Sequence, residues 1–120
     1  MARFVSIMNH KMSGEQLEAA LQIGEVLEIA FPNVAPNATS EDVAEMGDQL
    51  ISQLHLQEGD VIQIGGEPTL TSYVVSKLFQ LGYKVVTSTT ERLSVEEVLP
   101  DGSTKKTNVF KFVQFREFVI

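Results

Sequence analysis

The sequence predicts an α/β fold, in which helices flank a mostly parallel β-sheet and a β-hairpin follows at the C-terminal end. Strand-like and helix-like segments alternate three times before a fourth strand, an order that implies right-handed crossovers and parallel pairing. The last third then consists of two extended runs around Pro100–Ser103, a strong hairpin signal. Since 120 residues suffice for one core, we expect a single domain over residues 1–120, with a hairpin extension at about 92–118.

The first strand and helix are predicted from alternation and a capping signal. The segment "RFVSIMNH" (Arg3–His10) has the alternation and the β-branched and apolar content of a strand. Ser13 followed by Gln16 has the pattern of a capping box, in which two side chains satisfy helix-start N–H groups. We therefore expect a helix to open at Ser13 and a second strand over Val26–Pro32.

The next helix has the clearest apolar stripe in the chain. Apolar residues recur every three or four positions from Val43 to Leu54, and Thr39 or Ser40 is the expected N-cap. The segment "VIQIGG" (Val61–Gly66) follows as the third predicted strand.

The third predicted helix has signals at both ends. Pro68 suits the first turn, where its missing N–H costs nothing. Gly82 suits the left-handed residue that ends many helices. The residues expected to face the core are Leu70, Tyr73, Val74, Leu78 and Leu81.

The fourth strand and the hairpin complete the predicted order. "YKVVTSTT" (residues 83–90) is typical of a strand, and extended segments flank the turn that follows. With Asp101-Gly102 as a two-residue loop, Glu97 falls opposite Lys106, a favourable cross-strand pair.

Charge is distributed unevenly along the chain. The net charge of −7 argues against binding of long nucleic acids, which usually needs a basic surface. Between Met12 and Ser76 there are eleven acidic residues and neither Lys nor Arg, whereas five of the nine basic residues fall in the last 29 positions. A small anion could be held at the basic end while long polyanions are repelled elsewhere. The alternative is that acidic helices are simply well solvated.

The composition also bears on location and chemistry. Cysteine is absent and no run of about 18 apolar residues occurs, so we expect no disulfide, no membrane span and a cytoplasmic protein. No His/Cys cluster, acidic metal-binding loop or nucleophile-elbow sequence is present. We therefore expect neither a metal nor a cofactor.

Three predicted strand ends carry polar residues. They are Asn9–Lys11, Gly65–Thr69 and Ser88–Arg92. Ligands of parallel α/β sheets bind outside the carboxyl ends of the strands. The three segments together therefore predict one crevice.

The glycine segment allows two interpretations. Glycines let a phosphate approach the backbone, and helix-start N–H groups attract anions. However, "GGEPT" matches neither the dinucleotide fingerprint nor the P-loop, and Glu67 would repel a phosphate if it pointed inward. Gly65 and Gly66 either cradle an anion together with Glu67, Pro68 and Thr69, or only make a tight turn.

The other two strand ends are similarly open. His10, beside Asn9 and Lys11, could act as acid or base near neutral pH, although a lone histidine is more often structural. Thr89, Thr90 and Arg92 suit ribose and phosphate contacts, but Arg92 could equally pair with Glu91 or Glu117.

The chain resembles the small CRISPR-associated ring nucleases of type III systems. The resemblance is carried by "GDVIQIGG" before a helix, by "VTSTTERLSVEEVLPDGSTKKTNVFKFVQFREF", and by the opening "NHKMSGEQLEAA". It covers most of the chain and is weakest from Phe31 to Asp60. The sequence departs from the family pattern at Phe112, which stands in place of a histidine or similar residue, and at Val113-Gln114, where the family has a basic one.

The resemblance implies a CRISPR-associated Rossmann-like fold that works as a homodimer. The implied ligand is a cyclic oligoadenylate, above all cyclic tetra-adenylate, cleaved without metal to switch off type III signalling. Within that function Asn9 and His10 are assigned to the reacting ribose-phosphate. The assigned ligand-binding residues are Lys11, Gly65, Gly66, Glu67, Pro68, Thr69, Thr89, Thr90, Arg92, Lys105 and Lys106. A protein that sequesters the same messenger, and an interaction domain without nucleotide ligand, remain as alternatives.

Overall fold

The structure, a computed structural model, describes residues 2–120. Its elements in chain order are β1 (Arg3–Met8), α1 (Gly14–Ile23), β2 (Glu25–Ala30), α2 (Ser40–Leu54), β3 (Val61–Gly65), α3 (Pro68–Gln80), β4 (Lys84–Val98) and β5 (Thr104–Glu117). The strands form one sheet in the order β2-β1-β3-β4-β5. The first four are parallel, and β5 runs antiparallel to β4. The predicted α/β fold with a C-terminal hairpin is confirmed.

The sheet separates two apolar layers because side chains of a strand alternate between its faces. On β1, Val5 and Ile7 join the core beneath α2 and α3, and Phe4 joins a second cluster with α1. All three side chains are fully buried, and burial of such a side chain contributes about 1.5–3 kcal/mol. The chain reverses its direction of winding between β1 and β3, the kind of position where α/β proteins hold ligands.

The cap of α2 agrees with the prediction, and that of α1 does not. Thr39 Oγ1 accepts from the Asp42 N–H at 3.1 Å, and Asp42 accepts from the Thr39 N–H at 3.0 Å. Ser13 precedes α1 in extended conformation but makes no side-chain cap. The expected capping box is wrong because Gln16 turns inward and bonds to Gln63 instead.

The third helix ends at the predicted glycine. Gly82 has φ of 86°, and the N–H groups of Gly82 and Tyr83 return to Phe79 and Leu78, each at 3.0 Å. This hydrogen-bond pair is a Schellman motif. Leu81, which was expected inward, is instead 62% exposed; it is the C-cap residue, one position past the last residue of α3.

The fourth strand is much longer than predicted. It runs without interruption from Lys84 to Val98, so "STTER" lies within it rather than at its end. A β-bulge interrupts the pairing: Thr89 is opposite Gln114 but Thr90 is opposite Phe112, which leaves Val113 as the extra residue. The expected strand end at residues 88–92 is therefore wrong, because antiparallel pairing with β5 carries β4 onward.

The hairpin register also differs from the prediction. Glu97 lies opposite Lys105, and Lys106 lies opposite Glu96. The loop has three residues, since Leu99 pairs with Ser103 and Gly102 donates to the Leu99 carbonyl with φ of 85°. A turn followed by a left-handed residue is the common three-residue hairpin loop, and the third loop residue shifts the register by one.

The hairpin extends away from the rest of the molecule. The radius of gyration is 17.5 Å and the longest dimension is 57 Å, whereas a compact chain of this length would have a radius of about 14 Å. No helix within residues 2–120 is long and apolar enough to cross a membrane.

Candidate functional site

The loop after β1 is anchored at one end and exposed at the other. Met12 is 5% exposed and packs with the α1 cluster, and its N–H donates to Glu28 Oε2 at 3.3 Å. Asn9, His10 and Lys11 are exposed. Because Met12 fixes the loop from below, its polar residues are presented outward at the carboxyl end of β1.

A buried amide holds the start of α1 beside this loop. Gln63 in β3 is fully buried; its Nε2 donates to Ser6 Oγ at 2.9 Å, and its Oε1 accepts from Gln16 Nε2 at 3.0 Å. Its Nε2 also lies 3.4 Å from the Met12 sulfur. A polar side chain in the middle of a sheet is tolerated when its hydrogen bonds are made, and here they tie the first turn of α1 to the sheet.

A cleft of about 530 Å³ lies between the start of α1 and the base of the hairpin. The α1 side is lined by His10, Lys11, Ser13, Glu15 and Gln16, and the hairpin side by Thr90, Leu93, Val109, Phe110, Lys111 and Phe112. This volume lies in the usual range of ligand pockets, about 300–1,000 Å³.

The cleft combines charge with aromatic surface. Lys11 and Lys111 supply two cations from opposite walls, and Glu15 supplies one carboxylate. Phe110 and Phe112 contribute rings, of which Phe110 is 66% exposed. Phe112 is fixed by Phe115 at a centroid distance of 5.0 Å, and Phe115 in turn by Phe4 at 4.8 Å. Cations bind phosphate, and exposed rings stack on bases.

Asn9 faces a different depression. A smaller hollow of about 230 Å³ between β1 and β2 is lined by Asn9, His10 and Lys11 together with Glu28 and neighbouring strand residues. The Asn9–Lys11 loop is thus a ridge with a hollow on each side. His10 and Lys11 border both hollows, but Asn9 borders only the smaller one.

The predicted glycine segment lies outside the cleft, and Glu67 already occupies its anion-binding groups. The Glu67 carboxylate accepts from the N–H groups of Thr69 and Leu70 at 3.0 and 2.8 Å, and from Thr69 Oγ1 at 2.7 Å. Those are the N–H groups at the start of α3 that a phosphate would use. Glu67 therefore points at the helix N-terminus and caps it.

The two glycines are close to side chains of the protein itself. A Cβ on Gly66 would lie 2.6 Å from three ring atoms of Phe31, and a Cβ on Gly65 would lie 3.2 Å from the Met8 sulfur. The Phe31 N–H donates to the Met8 carbonyl at 3.0 Å, which holds the ring over the end of β3. Phe31 and Met8 thus cover the position between β1 and β3 at which the chain reverses its direction of winding.

The remaining predicted residues divide between the cleft and the hairpin. Thr90 lines the cleft, whereas Thr89 uses its hydroxyl to donate to the Gln114 carbonyl at 3.1 Å across the bulge. Arg92, Lys105 and Lys106 are exposed on the hairpin and do not line the cleft. Lys106 and Lys105 are five and six residues from Lys111, roughly 17–20 Å along the strand.

The sequence reasoning missed half of the cleft. Lys111, Phe110 and Phe112 belong to it because β5 returns alongside Thr90. Pairing of Thr90 with Phe112 brings Phe110 and Lys111 to the same end of the sheet, and this register follows from the three-residue loop rather than from a pattern in the sequence. Within residues 2–120, no three His, Asp or Glu side chains are grouped so as to hold a metal ion.

The fold and the cleft define a small Rossmann-like α/β domain with a long edge hairpin. The model of the Uncharacterized protein MJ1673 family matches residues 2–116, so the chain belongs to that family. A search of curated proteins gives no match.

Proposed function

We propose that this protein is a ring nuclease of the cytoplasm, which binds cyclic tetra-adenylate as a homodimer and cleaves it, ending type III CRISPR signalling. The observation that carries the proposal is the cleft in which His10, Lys11 and Lys111 meet the exposed Phe110 ring. The resemblance of the sequence to ring nucleases supplies the ligand class.

The charges of the cleft support a small polyanion. Each copy presents Lys11 and Lys111, so two copies present four lysine cations to the four phosphodiesters of the ring. The net charge of −7 would still repel long RNA. Glu15 lowers the positive potential and is suited to a hydroxyl or an adenine amino group rather than a phosphate.

The size of the cleft supports two copies. A pocket of about 530 Å³ is in the range that encloses one drug-sized ligand, and four linked nucleotides are larger than that. A ring with twofold symmetry can lie across a twofold interface so that each subunit contributes an identical half-site.

The proposed reaction needs positioning and proton transfer. A ribose 2′-hydroxyl oxygen attacks the adjacent phosphorus, the 5′-oxygen leaves, and the products are a 2′,3′-cyclic phosphate and a 5′-hydroxyl. His10 is assigned to take the 2′-hydroxyl proton or to return one to the 5′-oxygen. Lys11 and Lys111 stabilise the charge that develops on the phosphoryl oxygens, and Thr90 donates a hydrogen bond to them.

The test is cleavage of excess cyclic tetra-adenylate in EDTA, with products resolved by chromatography. We expect linear products ending in 2′,3′-cyclic phosphate, and His10→Ala should lower the single-turnover rate at least about tenfold, or about 1.4 kcal/mol. His55→Asn is the matched control, because the exposed His55 is left-handed at φ of 47°, a conformation asparagine tolerates. Cleavage by His10→Ala at the wild-type rate would remove His10 from the mechanism.

One observation favours a second function, sequestration of the same messenger without cleavage. Within residues 2–120, the His10 side chain makes no hydrogen bond that would orient its ring, whereas catalytic histidines are commonly oriented by a partner. Unchanged ligand together with micromolar or tighter binding would identify a sequestering protein. No thermal shift with any cyclic oligoadenylate would favour an interaction domain instead.

A further inference from the structure

The outer part of the hairpin has no partner within residues 2–120. Every residue of 90–98 and of 104–111 is exposed, including Val95 at 50% and Val109 at 45%. A two-stranded ribbon is only marginally stable in water without a surface to pack on. The exposed apolar side chains of Leu93 and Val95 on β4 and of Val109 on β5 therefore indicate that something covers the ribbon.

The register defines one face of the ribbon that is self-complementary. Directly opposed residues share a face and alternate residues along a strand return to it. Three opposed pairs therefore lie together: Leu93 with Val109, Val95 with Thr107, and Glu97 with Lys105. We call these six residues the ribbon face. Its acid lies on β4 and its lysine on β5, and the next pair toward the body, Glu91 and Lys111, repeats that arrangement.

The charges of this face are not neutralised inside the chain. Within residues 2–120, Arg3–Asp60 is the one ion pair closer than 4 Å. Glu97 and Lys105 are thus available to charges of a partner.

We propose that a second copy of the chain covers the ribbon face, packing face to face about a twofold axis parallel to the strands. That rotation places β4 of one copy over β5 of the other. Glu97 then faces Lys105 of the second copy, and Leu93 faces its Val109. A twofold axis across the strands would instead stack β4 on β4 and β5 on β5, so that Glu97 could not face a lysine of the second copy. Centred midway between Glu91 and Glu97, it would oppose these two acids to each other, which is repulsive. The charge pattern therefore selects the first arrangement.

The position of the hairpin in the sheet allows this packing. Because β4 and β5 lie at one edge of the sheet, the rotation carries the two bodies to opposite sides of the axis. Leu93 and Val109 also line the cleft, so the interface begins where the cleft ends. The two clefts would then flank one axis, as a shared twofold ligand requires.

The size of the face sets the strength of the dimer. The three pairs cover roughly 17 Å by 10 Å, well below the roughly 800 Å² per partner of a standard stable interface. A weak dimer with a dissociation constant in the micromolar range or above is therefore expected, and self-association should depend on concentration.

Sedimentation equilibrium over roughly 10–500 μM tests the inference with variants of matched charge. Glu97→Lys should weaken the dimer at least tenfold, and adding Lys105→Glu should restore it to within about threefold of wild type. Glu96→Lys, alone or with Lys106→Glu, makes the same charge changes on the opposite face and should leave the dissociation constant unchanged. A wild-type chain that stays monomeric throughout, or equal weakening by Glu96→Lys, would overturn the inference.

A second pair of variants covers the case in which a charge swap unfolds the hairpin. Val95→Lys should abolish self-association and Ser94→Lys should not, with circular dichroism checking the fold of each. Similar self-association of the two would contradict the ribbon face. The inference depends on the proposed function in one respect only, namely that the number of associating copies is two. Because sedimentation reads assembly and the EDTA assay reads cleavage, either can fail alone.

Discussion

Gln16 Nε2 donates a 3.0 Å hydrogen bond to Oε1 of the buried Gln63, and this contact ties the first turn of α1 to the centre of the sheet. The Gln63 side chain also donates to Ser6 on the neighbouring strand β1. Three elements thus meet at one carboxamide, next to the loop that carries His10 and Lys11. The geometry of one wall of the cleft depends on a residue that does not line it.

Gln63→Leu should therefore destabilise the protein and loosen the cleft. The substitution leaves the buried Ser6 hydroxyl without its donor, and we expect a loss of about 1–3 kcal/mol in the free energy of unfolding. Urea denaturation measures it. Gln22→Leu, at an exposed position of α1, should change stability by no more than about 0.5 kcal/mol. Equal losses for the two variants would contradict the role of the buried amide.

Gly66→Ala should destabilise the protein through Phe31. The new methyl group would lie 2.6 Å from ring atoms of a side chain that is only 8% exposed, and overpacking of this kind costs about 1–3 kcal/mol. Gly65→Ala is the control: its methyl group would meet the flexible Met8 side chain at 3.2 Å, so we expect a loss below about 1 kcal/mol.

A double variant tests whether the Phe31 ring is the reason that position 66 requires glycine. If the ring is the obstacle, Phe31→Leu combined with Gly66→Ala should destabilise by less than the sum of the single losses. Strict additivity of the two unfolding free energies would show that Phe31 is not what requires glycine at this position.

Glu67→Gln should lower the melting temperature, with a dependence on pH. The Leu70 N–H, the Thr69 hydroxyl and the Thr69 N–H lower the pKa of Glu67 below 4.5. A carboxylate with a depressed pKa stabilises the fold fully above its unfolded pKa and loses that contribution as the pH falls through its folded pKa. Wild type and variant should thus differ at pH 7 and converge below pH 4.5. A constant difference across that range would exclude Glu67 as a charged cap.

Arg3→Gln should expose the cost of an uncompensated buried carboxylate. Asp60 is 1% exposed and accepts from Arg3 Nη2 at 2.6 Å. Burial raises the pKa of Asp60, but hydrogen bonds from Arg3 and from the Gln57 N–H outweigh burial and hold it below 3.8. Loss of one partner of a buried pair costs about 3–5 kcal/mol in the free energy of unfolding. Because the Arg3 side chain is partly exposed, we expect a loss near the lower end of that range.

The pH dependence of this variant has a definite sign. Because the folded pKa of Asp60 is depressed, the ion pair contributes fully above about pH 3.8 and its contribution is lost in stronger acid. The stability deficit of Arg3→Gln in urea denaturation should be largest at neutral pH and shrink below that value. Adding Asp60→Asn should recover part of the deficit at pH 7, and no recovery would argue against a buried charge as its cause.

The element order could be predicted from the sequence because local signals carried it. Pro68, Gly82 and Thr39 each act within a few residues of their own position, and the structure confirms all three. The errors arose where a distant residue decided the outcome. Gln16 does not cap its own helix but forms a hydrogen bond with Gln63, 47 residues away. Strand β4 extends beyond its predicted end because β5 pairs with it.

Apart from Thr90, the candidate site was predictable only on its β1 side. The first strand was predicted to end at His10 and ends at Met8. His10 and Lys11 therefore lie at the carboxyl edge of the sheet, as the predicted fold required. Lys111 and Phe110 depend on a register that a three-residue loop shifts by one and a bulge at Val113 shifts again. Neither shift changes composition or periodicity, so neither could be predicted from pattern alone.

The position of β1 between β2 and β3 governs the order in which the chain can fold during synthesis. On one edge β1 pairs with β2, which begins at Glu25. On its other edge β1 pairs with β3, where the partner of Phe4 is Val61, 57 residues later in the chain. During synthesis β1 thus keeps one open edge until β3 has also been made. The outer part of the hairpin, where β4 and β5 contact only each other, can close in microseconds once it emerges. We expect the slow step to be docking of β3 on β1, the longest loop closure within the parallel sheet.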